Sequence, residues 1–539
     1  RAAALAAAAE AEAGRPACGA GASAEPATPM RVDLDGITTR MVALSIPSAE
    51  LSSLSAGAPG IVYYLQTTDT TKALHCFDVV KREDQTLIPA VADYRLSRDG
   101  KKLLYQQAAD WFIGPANGPV TPGEGRVPTD QIEVRIDPRA EWAQIFAEAW
   151  QINRDDFYAP TMHGVDWPAT RKKYAQFLPH LATRADLTRV IKWMGSELSV
   201  GHHFTEGGDR LSKPEEVSVG LLGADYVVQN GRYRFARVYG GLNWTPDLRA
   251  PLREPGVNVR PGEYLLAVNG RPLRPPTNLY SAFETTAGKL IDITVGPNPD
   301  GKGARTVQIV PIADDVSLRT RAWIEGNLRK VDSLTQGRVA YIYVPNTAEA
   351  GADYFRRYFY PQAHKDAVIV DERFNGGGQI ADYYLDMLRR PPLAHWATRY
   401  GEDFKTPVAA VQGPKVLLIN EAAASGGDFL AWAFRKLRLG PLVGQRTWGG
   451  VVGNLGARVL MDGGISTAPN LGMWTADEGY TVENVGVPPD IAVEQAPADV
   501  IAGRDPQLEA AIKFVMAELQ KHPPEHPKRP PFPDKTRRP

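Results

Sequence analysis

The sequence has few cysteines, no long apolar run and almost no net charge. Of 539 residues, only Cys18 and Cys76 are cysteines, too few for a disulfide scaffold and without metal-ligand spacing, which favours a reducing compartment. No apolar run approaches the roughly 18 residues that span a bilayer. The formal net charge is −1, so the chain offers no basic surface to nucleic acid or anionic lipid. We expect neither nucleic acid nor a membrane as a partner.

Residues 1–30 are rich in alanine and glycine and form a low-complexity segment. Glu10 and Glu12 interrupt the alanine stretch, so we do not expect a signal peptide. The first residue is Arg rather than Met, and we expect the chain to be a fragment or processed form of a longer protein. Its 539 residues exceed what one hydrophobic core holds, which predicts a multidomain α+β protein of roughly three to five domains.

Residues 31–130 alternate short apolar segments with turns, as in "GIVYYLQ", "ALHCFDVV", "DYRLSRDGKKLLYQQ" and "DWFIGP". Within the third segment, Asp99-Gly100 favours a tight hairpin. Four such strands predict a terminal blade of a β-propeller. One blade cannot bury both of its faces, so we expect further blades upstream that this chain lacks.

Residues 131–213 change to a helical period. Asp137-Pro138 supplies a capping residue and a first-turn proline, and one helix face collects Trp142, Ile145, Phe146, Ala149 and Trp150. A second helical stretch, "RADLTRVIKWMGSEL", precedes "SVGHHFTEGGDR". The aromatic residues are most simply core, and the polar segment that follows the second helix is the candidate site.

Residues 214–313 return to β patterns, in "VSVGLLGADYVV" and in "LREPGVNVRPGEYLLAVNGRPL", where Asn269-Gly270 suits a type I′ turn. These segments resemble a PDZ domain. In PDZ domains, the loop that corresponds to 219–226 and the adjoining strand edge accept a peptide by strand addition. A rigid spacer is the alternative.

Residues 314–520 alternate strands and helices. Continuous apolar runs such as "AVIVD" and "VLLIN" are typical of strands covered on both faces, which predicts an α/β domain with a largely parallel sheet. Helices are expected near 350–360, 379–390 and 427–437, and a last helix begins at Asp505-Pro506. Residues 521–539 are basic and proline-rich, which predicts a disordered tail.

The stretch "NEAAASGGDF" places Ser425 between a buried strand and a helix. Small neighbours permit a sharp turn that exposes the hydroxyl, and the amide of Gly426 at the helix start is free to bind an anion. This is the arrangement of a nucleophile with one oxyanion donor. The alternative is an N-cap serine assisted by Asp428 in the first turn.

Three glycines, Gly376, Gly377 and Gly378, stand between another buried strand and a helix in "VDERFNGGGQIADYYLDML". They permit close approach of the backbone to a ligand, and one of them can supply a second oxyanion donor. A phosphate loop is disfavoured because no Gly-Lys-Ser/Thr follows. A plain turn is the other alternative.

A nucleophilic serine needs a base, and "ELSVGHHFTEGGD" offers His202 and His203. A zinc site that also uses Glu206 and Asp209 is the competing interpretation, but the spacing of a metal site is absent. An acidic residue would orient the imidazole. Glu483, in "DEGYTVENVGVPPDI", is a candidate, with a surface role as the alternative.

Together these segments resemble the C-terminal half of a tricorn protease, a relative of the carboxyl-terminal processing serine peptidases. Four motifs carry the resemblance over roughly residues 60–520: "SELSVGHHFTEGGD", "DERFNGGGQ", "NEAAASGGDF" with the later "LGPLVGQRTWGGVVG", and "TVENVGVPPDI". The resemblance implies a propeller end, a small helical domain carrying the catalytic histidine, a PDZ-like domain and an α/β catalytic domain of crotonase-like fold.

The resemblance also implies a site. Ser425 would be the nucleophile, His202 its general base and Glu483 the residue that orients the base. The amides of Gly377 and Gly426 would form the oxyanion hole. No metal or cofactor is implied. The expected function is an endopeptidase that degrades oligopeptides through an acyl-enzyme.

Some features depart from the family or come from it by analogy alone. The family has a serine before the catalytic histidine, where this chain has Gly201, and Glu402 and Asp403 are only candidates for an acidic residue that selects basic side chains. The family implies a hexameric homo-oligomer and a cytoplasmic location. The alternative function is a non-catalytic scaffold that binds peptides through its PDZ-like domain.

Overall fold

A computed structural model describes residues 34–36, 43–46, 48–68, 71–116, 118, 120–121, 123–210, 214–524 and 527–536. The low-complexity segment predicted at 1–30 lies outside the described residues. The chain divides into two compact units between Arg135 and Ile136. Each is described by itself.

The first unit consists of two four-stranded antiparallel sheets. The first sheet contains β1 (Glu50–Ala56), β2 (Ile61–Thr67), β3 (Lys72–Asp78) and β4 (Glu83–Ile88), and the second contains β5 (Asp93–Leu96), β6 (Lys102–Gln107), β7 (Asp110–Pro115) and β8 (Arg126–Val127). The predicted hairpin at Asp99-Gly100 is confirmed, since it joins β5 to β6. The prediction of one blade is wrong in number, because the four quoted segments belong to both sheets.

One apolar cluster lies between these two sheets and includes Tyr63, Leu74, Tyr94, Leu103 and Tyr105. Two blade-like sheets that share one core fit a partial propeller. The division into two sheets could not be predicted from the apolar pattern, because β1 and β8 contain no buried residue.

The second unit begins with three helices, α1 (Pro138–Asp156), α2 (Trp167–Ala175) and α3 (Arg184–Ser196), followed by β9 (Thr205–Glu206). The predicted start of α1 is confirmed: the Asp137 side chain accepts hydrogen bonds from the amides of Arg139 and Ala140. The predicted aromatic face is also confirmed as core, because Trp142, Ile145, Phe146, Ala149 and Trp150 are all buried.

An antiparallel sheet follows, made of β10 (Ala224–Gln229), β11 (Arg232–Val238), β12 (Tyr264–Val268), β13 (Arg271–Pro272), β14 (Ile291–Gly296) and β15 (Arg305–Ile309). Its strand order is β10-β11-β12-β14-β15, and β13 pairs with β12. Asn269 and Gly270 both have positive φ, 46° and 74°, which confirms the predicted I′ turn. The strand β10 has a free edge in this sheet.

The α/β part is built on a five-stranded parallel sheet of order β16-β17-β20-β21-β26. Its strands and the smaller hairpins are β16 (Val339–Tyr343), β17 (Ala367–Asp371), β18 (Ala394–Trp396), β19 (Phe404–Thr406), β20 (Lys415–Ile419), β21 (Leu442–Gly444), β22 (Arg458–Val459), β23 (Ile465–Ser466), β24 (Trp474–Thr475), β25 (Gly479–Tyr480) and β26 (Ile491–Ala492). Every residue of β16 and β17 is buried, which confirms the prediction of strands covered on both faces.

Helices cover this sheet: α4 (Val316–Leu334), α5 (Glu349–Phe359), α6 (Ala381–Leu388), α7 (Gly426–Lys436), α8 (Pro497–Ile501) and α9 (Pro506–Lys521). The four predicted helices are confirmed within a few residues. No helix in the described part of the chain has the length and hydropathy that a membrane crossing requires. In the tail, Arg529 forms an ion pair with Asp403.

The helices α1 to α3, with the segment that follows them, pack on the α/β part through a short strand and a buried ion pair. The strand β9 pairs antiparallel with β23. The guanidinium of Arg184, at the start of α3, contacts the carboxylate of Asp462 at 2.5 Å, and the two side chains are only 5% and 1% exposed. This contact fixes α3, and therefore the segment that follows it, against residues of the α/β part.

Candidate active site

Ser425 lies at the end of the loop after β20 and caps the start of α7. Its φ of 57° and ψ of −111° form a conformation that glycine normally occupies. Asp428, one turn into the helix, holds it there by accepting the Ser425 N–H at 2.8 Å. Ser425 itself is half-buried, and a strained backbone of this kind is typical of functional residues, because the surrounding structure must stabilise it.

His202 lies opposite this serine, 223 positions away in sequence. Its Nε2 is 3.2 Å from the Ser425 Oγ. The Oγ1 of Thr467 donates to the backbone oxygen of His202 at 2.7 Å and accepts the Phe204 N–H at 2.8 Å. The threonine therefore fixes the backbone on both sides of the imidazole, and the imidazole can accept the serine proton.

Burial lowers the pKa of His202 below its ordinary value, and the negative charges of Glu483 and Asp428, with the backbone of Val452, offset part of that shift. A general base must be neutral to accept a proton. The lowered pKa therefore keeps the imidazole in its basic form.

His203 has a different environment. Burial and the neighbouring His202 lower the pKa of His203 to about 4, and its ring stacks on Phe157 with centroids 6.3 Å apart. No hydrogen bond joins His203 to Ser425 in the described chain. The structure thus brings His202, and not His203, to the serine.

Glu483 acts on the backbone around the imidazole. Its Oε1 accepts the Gly201 N–H at 2.8 Å, and its Oε2 accepts the amides of Val451 and Val452, both at 2.7 Å. Within the described residues, no hydrogen bond connects Glu483 to the His202 ring. The carboxylate therefore fixes Gly201, the residue that precedes His202, rather than the ring itself.

Asp428, which accepts the Ser425 N–H, also binds the loop that Glu483 binds. It is fully buried, and it accepts the Gly449 amide at 2.8 Å and the Gly450 amide at 3.1 Å. We call residues 448–452 the clamped loop. Its four consecutive amides from 449 to 452 donate to two carboxylates, Asp428 and Glu483. This loop therefore connects the backbone of Ser425 to the backbone that precedes His202.

The two candidate oxyanion donors lie beside the serine in different states. The Gly426 amide, at the start of α7, has no acceptor among the described residues, which is the state that an oxyanion donor needs. The Gly377 amide donates to the Asn375 Oδ1 at 2.9 Å and must release or share this bond to serve a substrate oxygen. Gly377 has φ +88° and its Cβ would lie 2.7 Å from the Ser425 Cβ, so only glycine fits.

Asn375 and Glu372 form the hydrogen bonds that hold the loop of Gly376, Gly377 and Gly378 in place. Asn375 is fully buried; its backbone oxygen accepts the Ala424 N–H at 3.0 Å, and its Nδ2 donates to Glu372 at 3.1 Å. Burial raises the pKa of Glu372 well above its usual value, which favours the neutral form of this carboxyl group. Asn375 thus joins the glycine loop to the loop of Ser425.

Sequence reasoning did not assign functions to Asn375 or Trp448, and it gave Asp428 only a capping role. A signal existed for two of them: Asn375 directly precedes three glycines, and Asp428 is the third residue after a helix N-cap. The indole of Trp448 contacts the ring of His202, and no local signal indicated this contact because the two residues are far apart in sequence.

The zinc alternative has no support in the geometry. Across the residues that the structure describes, no three His, Cys, Asp or Glu side chains converge in a group that could hold a metal ion. His202 faces Ser425, and the Asp209 amide donates to Asp462 at 3.2 Å.

Three family models match the chain. The tricorn protease C1 domain matches residues 138–195, the tricorn protease PDZ domain matches residues 220–314, and peptidase family S41 matches residues 338–493. The last match includes Ser425 and Glu483, and the four segments of the candidate site fall in or beside these matches.

Individual proteins are similar over most of the chain. Tricorn protease homolog 1 of Streptomyces coelicolor is 32% identical over 514 residues, which cover 92% of this chain and 48% of that protein. The tricorn protease of Thermoplasma acidophilum is 31% identical over 471 residues, 87% of this chain and 43% of that protein. A crystal structure of the tricorn protease matches with a TM-score of 0.81 and 28% identity, over 87% of this chain and 47% of that one. The chain spans about half the length of these relatives, and it belongs to the tricorn protease family.

Proposed function

We propose that this chain carries the active site of a serine endopeptidase that degrades oligopeptides through an acyl-enzyme. The observation that supports it most is the 3.2 Å distance between the Ser425 Oγ and the His202 Nε2. The serine is held in a strained turn, and an unoccupied amide, that of Gly426, lies next to it. Membership in the tricorn protease family supports the same reaction class.

In the first step, His202 takes the Oγ proton while Ser425 attacks the peptide carbonyl. The carbonyl oxygen becomes an oxyanion, which the amides of Gly426 and Gly377 stabilise once Gly377 leaves Asn375. His202 then gives the proton to the leaving amine, and the carbon–nitrogen bond breaks. Water, deprotonated by the same imidazole, hydrolyses the resulting ester and restores the serine.

Glu483 has a positioning role in this proposal. It holds the Gly201 amide and the clamped loop, and its charge favours the imidazolium that forms during attack. It touches neither the serine nor the imidazole by a hydrogen bond among the described residues. Glu483 therefore acts on His202 through its hydrogen bonds to backbone amides and through its negative charge.

The alternative of a non-catalytic PDZ scaffold is not favoured. A cavity of about 150 Å³ lies along β10 and includes Leu222, Tyr226 and Phe283 in its lining. However, the N–H and C=O of Leu221, in the loop that would receive a peptide terminus, are both bonded to Ile312 at 2.7 and 2.9 Å. These bonds tie the loop to the segment that leads into α4, which suits a rigid spacer.

A cytoplasmic location and a homo-oligomer, a hexamer by family analogy, are proposed on the resemblance alone. Sedimentation equilibrium of the purified chain tests the assembly. A monomer at micromolar concentration would contradict the proposed oligomer of this chain.

A serine-reactive phosphonate tests the function. We expect a covalent adduct that maps to Ser425 by peptide mass spectrometry, together with hydrolysis of an unstructured oligopeptide mixture. Ser425→Ala should lose both. An unreactive Ser425 in the folded and assembled protein would contradict the proposed peptidase.

A further inference from the structure

The indole of Trp448 lies edge-to-face beside the imidazole of His202. The ring centroids are 5.5 Å apart and the planes meet at 70°, an arrangement that aromatic rings prefer. The Nδ1 of His202 is buried and forms no well-aligned hydrogen bond among the described residues, and the backbone of Val452 is the polar group that interacts with the ring besides Ser425. The indole is a further neighbour, and it limits the rotation of the imidazole.

Two glycines make room for this indole. A Cβ added at Gly201 would lie 2.7 Å from the Cη2 of Trp448, and one added at Gly450 would lie 2.2 Å from its Cζ3. Real Cβ contacts essentially never occur below 3.0 Å. The φ of Gly201 lies outside the left-handed region, so the backbone there admits alanine. The indole, which is 41% exposed, therefore occupies the space of a Cβ at position 201, and a Cβ there would displace it.

The backbone of Trp448 is fixed to the nucleophile's loop. Its N–H donates to the Ala423 oxygen at 2.9 Å, two residues before Ser425. The next two amides end on Asp428, which also holds the Ser425 N–H. A side chain anchored to the nucleophile therefore packs against the base.

We propose that Trp448, wedged between Gly201 and Gly450, is a positioning residue that holds the His202 imidazole with its Nε2 towards the Ser425 Oγ. This inference rests on the proposed function. The indole touches no reacting atom in this account, so its loss should lower kcat and leave KM nearly unchanged. Misplacement of a catalytic group by about 1 Å can cost on the order of 100-fold in rate.

Four variants test the wedge: Trp448→Ala, Trp448→Phe, Gly201→Ala and the double variant Gly201→Ala/Trp448→Ala. Gly453→Ala is the matched control, because a Cβ there would meet only Leu471, at 4.0 Å, and its φ is ordinary. The measurements are the rate at which a fluorophosphonate labels Ser425, kcat and KM for a peptide substrate, and the thermal unfolding midpoint.

We expect Trp448→Ala and Gly201→Ala each to slow labelling and kcat by about tenfold or more, while Trp448→Phe retains most of both. The double variant should be no slower than Trp448→Ala, because the side chain that the new Cβ meets is gone. Gly453→Ala should match the wild type. Trp448→Ala should also raise the pH midpoint of labelling, because the imidazole gains solvent while Glu483 and Asp428 remain beside it.

The positioning role of Trp448 would be overturned if Trp448→Ala showed wild-type rates. It would also be overturned if the rate loss of the double variant equalled the product of the losses of the two single variants. If Gly201→Ala unfolds, the comparison of Trp448→Ala with Trp448→Phe decides alone, because neither adds a Cβ at position 201. Absence of labelling in the wild type would instead overturn the proposed function, and the positioning role with it. If the wild type is labelled normally and the variants are labelled at the same rate, the positioning role of Trp448 is overturned and the proposed function is not.

Discussion

The carboxylate of Glu483 accepts the backbone N–H of Gly201 at 2.8 Å, across 282 positions of sequence. It orders the residue before the base and, through the amides of Val451 and Val452, the clamped loop. An acidic residue that orients a catalytic imidazole usually bonds the ring directly. Here the carboxylate instead acts on the main chain of Gly201 and of the clamped loop.

Glu483→Gln should lower kcat by about tenfold or more with KM within about twofold, because an amide cannot accept all three N–H groups and carries no charge to favour the imidazolium. Steady-state kinetics check this. The control is Glu494→Gln, an exposed residue of the same domain. An unchanged kcat would contradict the role of Glu483 in holding the base.

Asp428→Asn should destabilise the protein by about 1–3 kcal/mol, because its side-chain nitrogen would face backbone N–H donors inside a fully buried site. Urea unfolding measures the change. Asp382→Asn is the matched control, an exposed acid in the first turn of α6. Equal stability of the two variants would show that the clamped loop does not depend on Asp428.

Arg184→Met should lower the free energy of unfolding by about 3–5 kcal/mol, because it leaves the buried carboxylate of Asp462 without its only cationic partner among the described residues. It should also slow labelling of Ser425, since α3 leads directly to the segment of His202. Arg189→Met on the same helix removes an exposed pair with Asp186 and should cost less than about 1 kcal/mol. Calorimetry that gives the two variants the same midpoint would contradict the buried anchor.

The acid limb of kcat/KM should have its midpoint below the ordinary histidine value of about 6.5. The base must be unprotonated, and burial lowers the pKa of His202, so activity persists to lower pH than an exposed histidine would allow. A pH profile with a peptide substrate measures it. If the pH profiles of kcat/KM and of Ser425 labelling both had an acid midpoint above about 6.5, the lowered pKa of His202 would be contradicted.

Local patterns predicted the elements whose cause is local. The start of α1 follows from Asp137-Pro138, the I′ turn follows from Asn269-Gly270, and the buried strands β16 and β17 follow from continuous apolar runs. The sharp turn at Ser425 was also visible, because two glycines follow it. The domain limits at 130, 213, 313 and 520 stay predictions.

Features that depend on distant residues could not be predicted in this way. The partners of Glu483 lie 31 to 282 positions away, and nothing near Gly201 indicates that Trp448 fills the space of its missing side chain. The two sheets of the first unit were merged into one blade, because short exposed strands leave no apolar pattern. The prediction that the four motifs converge in space rested on the family resemblance, because no single segment indicates it.

The most direct test of the account is the rate at which a fluorophosphonate labels Ser425 in the wild type, in His202→Ala and in His203→Ala, all shown to be folded. The account predicts rapid labelling in the wild type, loss of at least about 100-fold in His202→Ala, and a rate close to the wild type in His203→Ala once stability is matched. Labelling that survives in His202→Ala and disappears in folded His203→Ala would contradict the nucleophile–base pair described above.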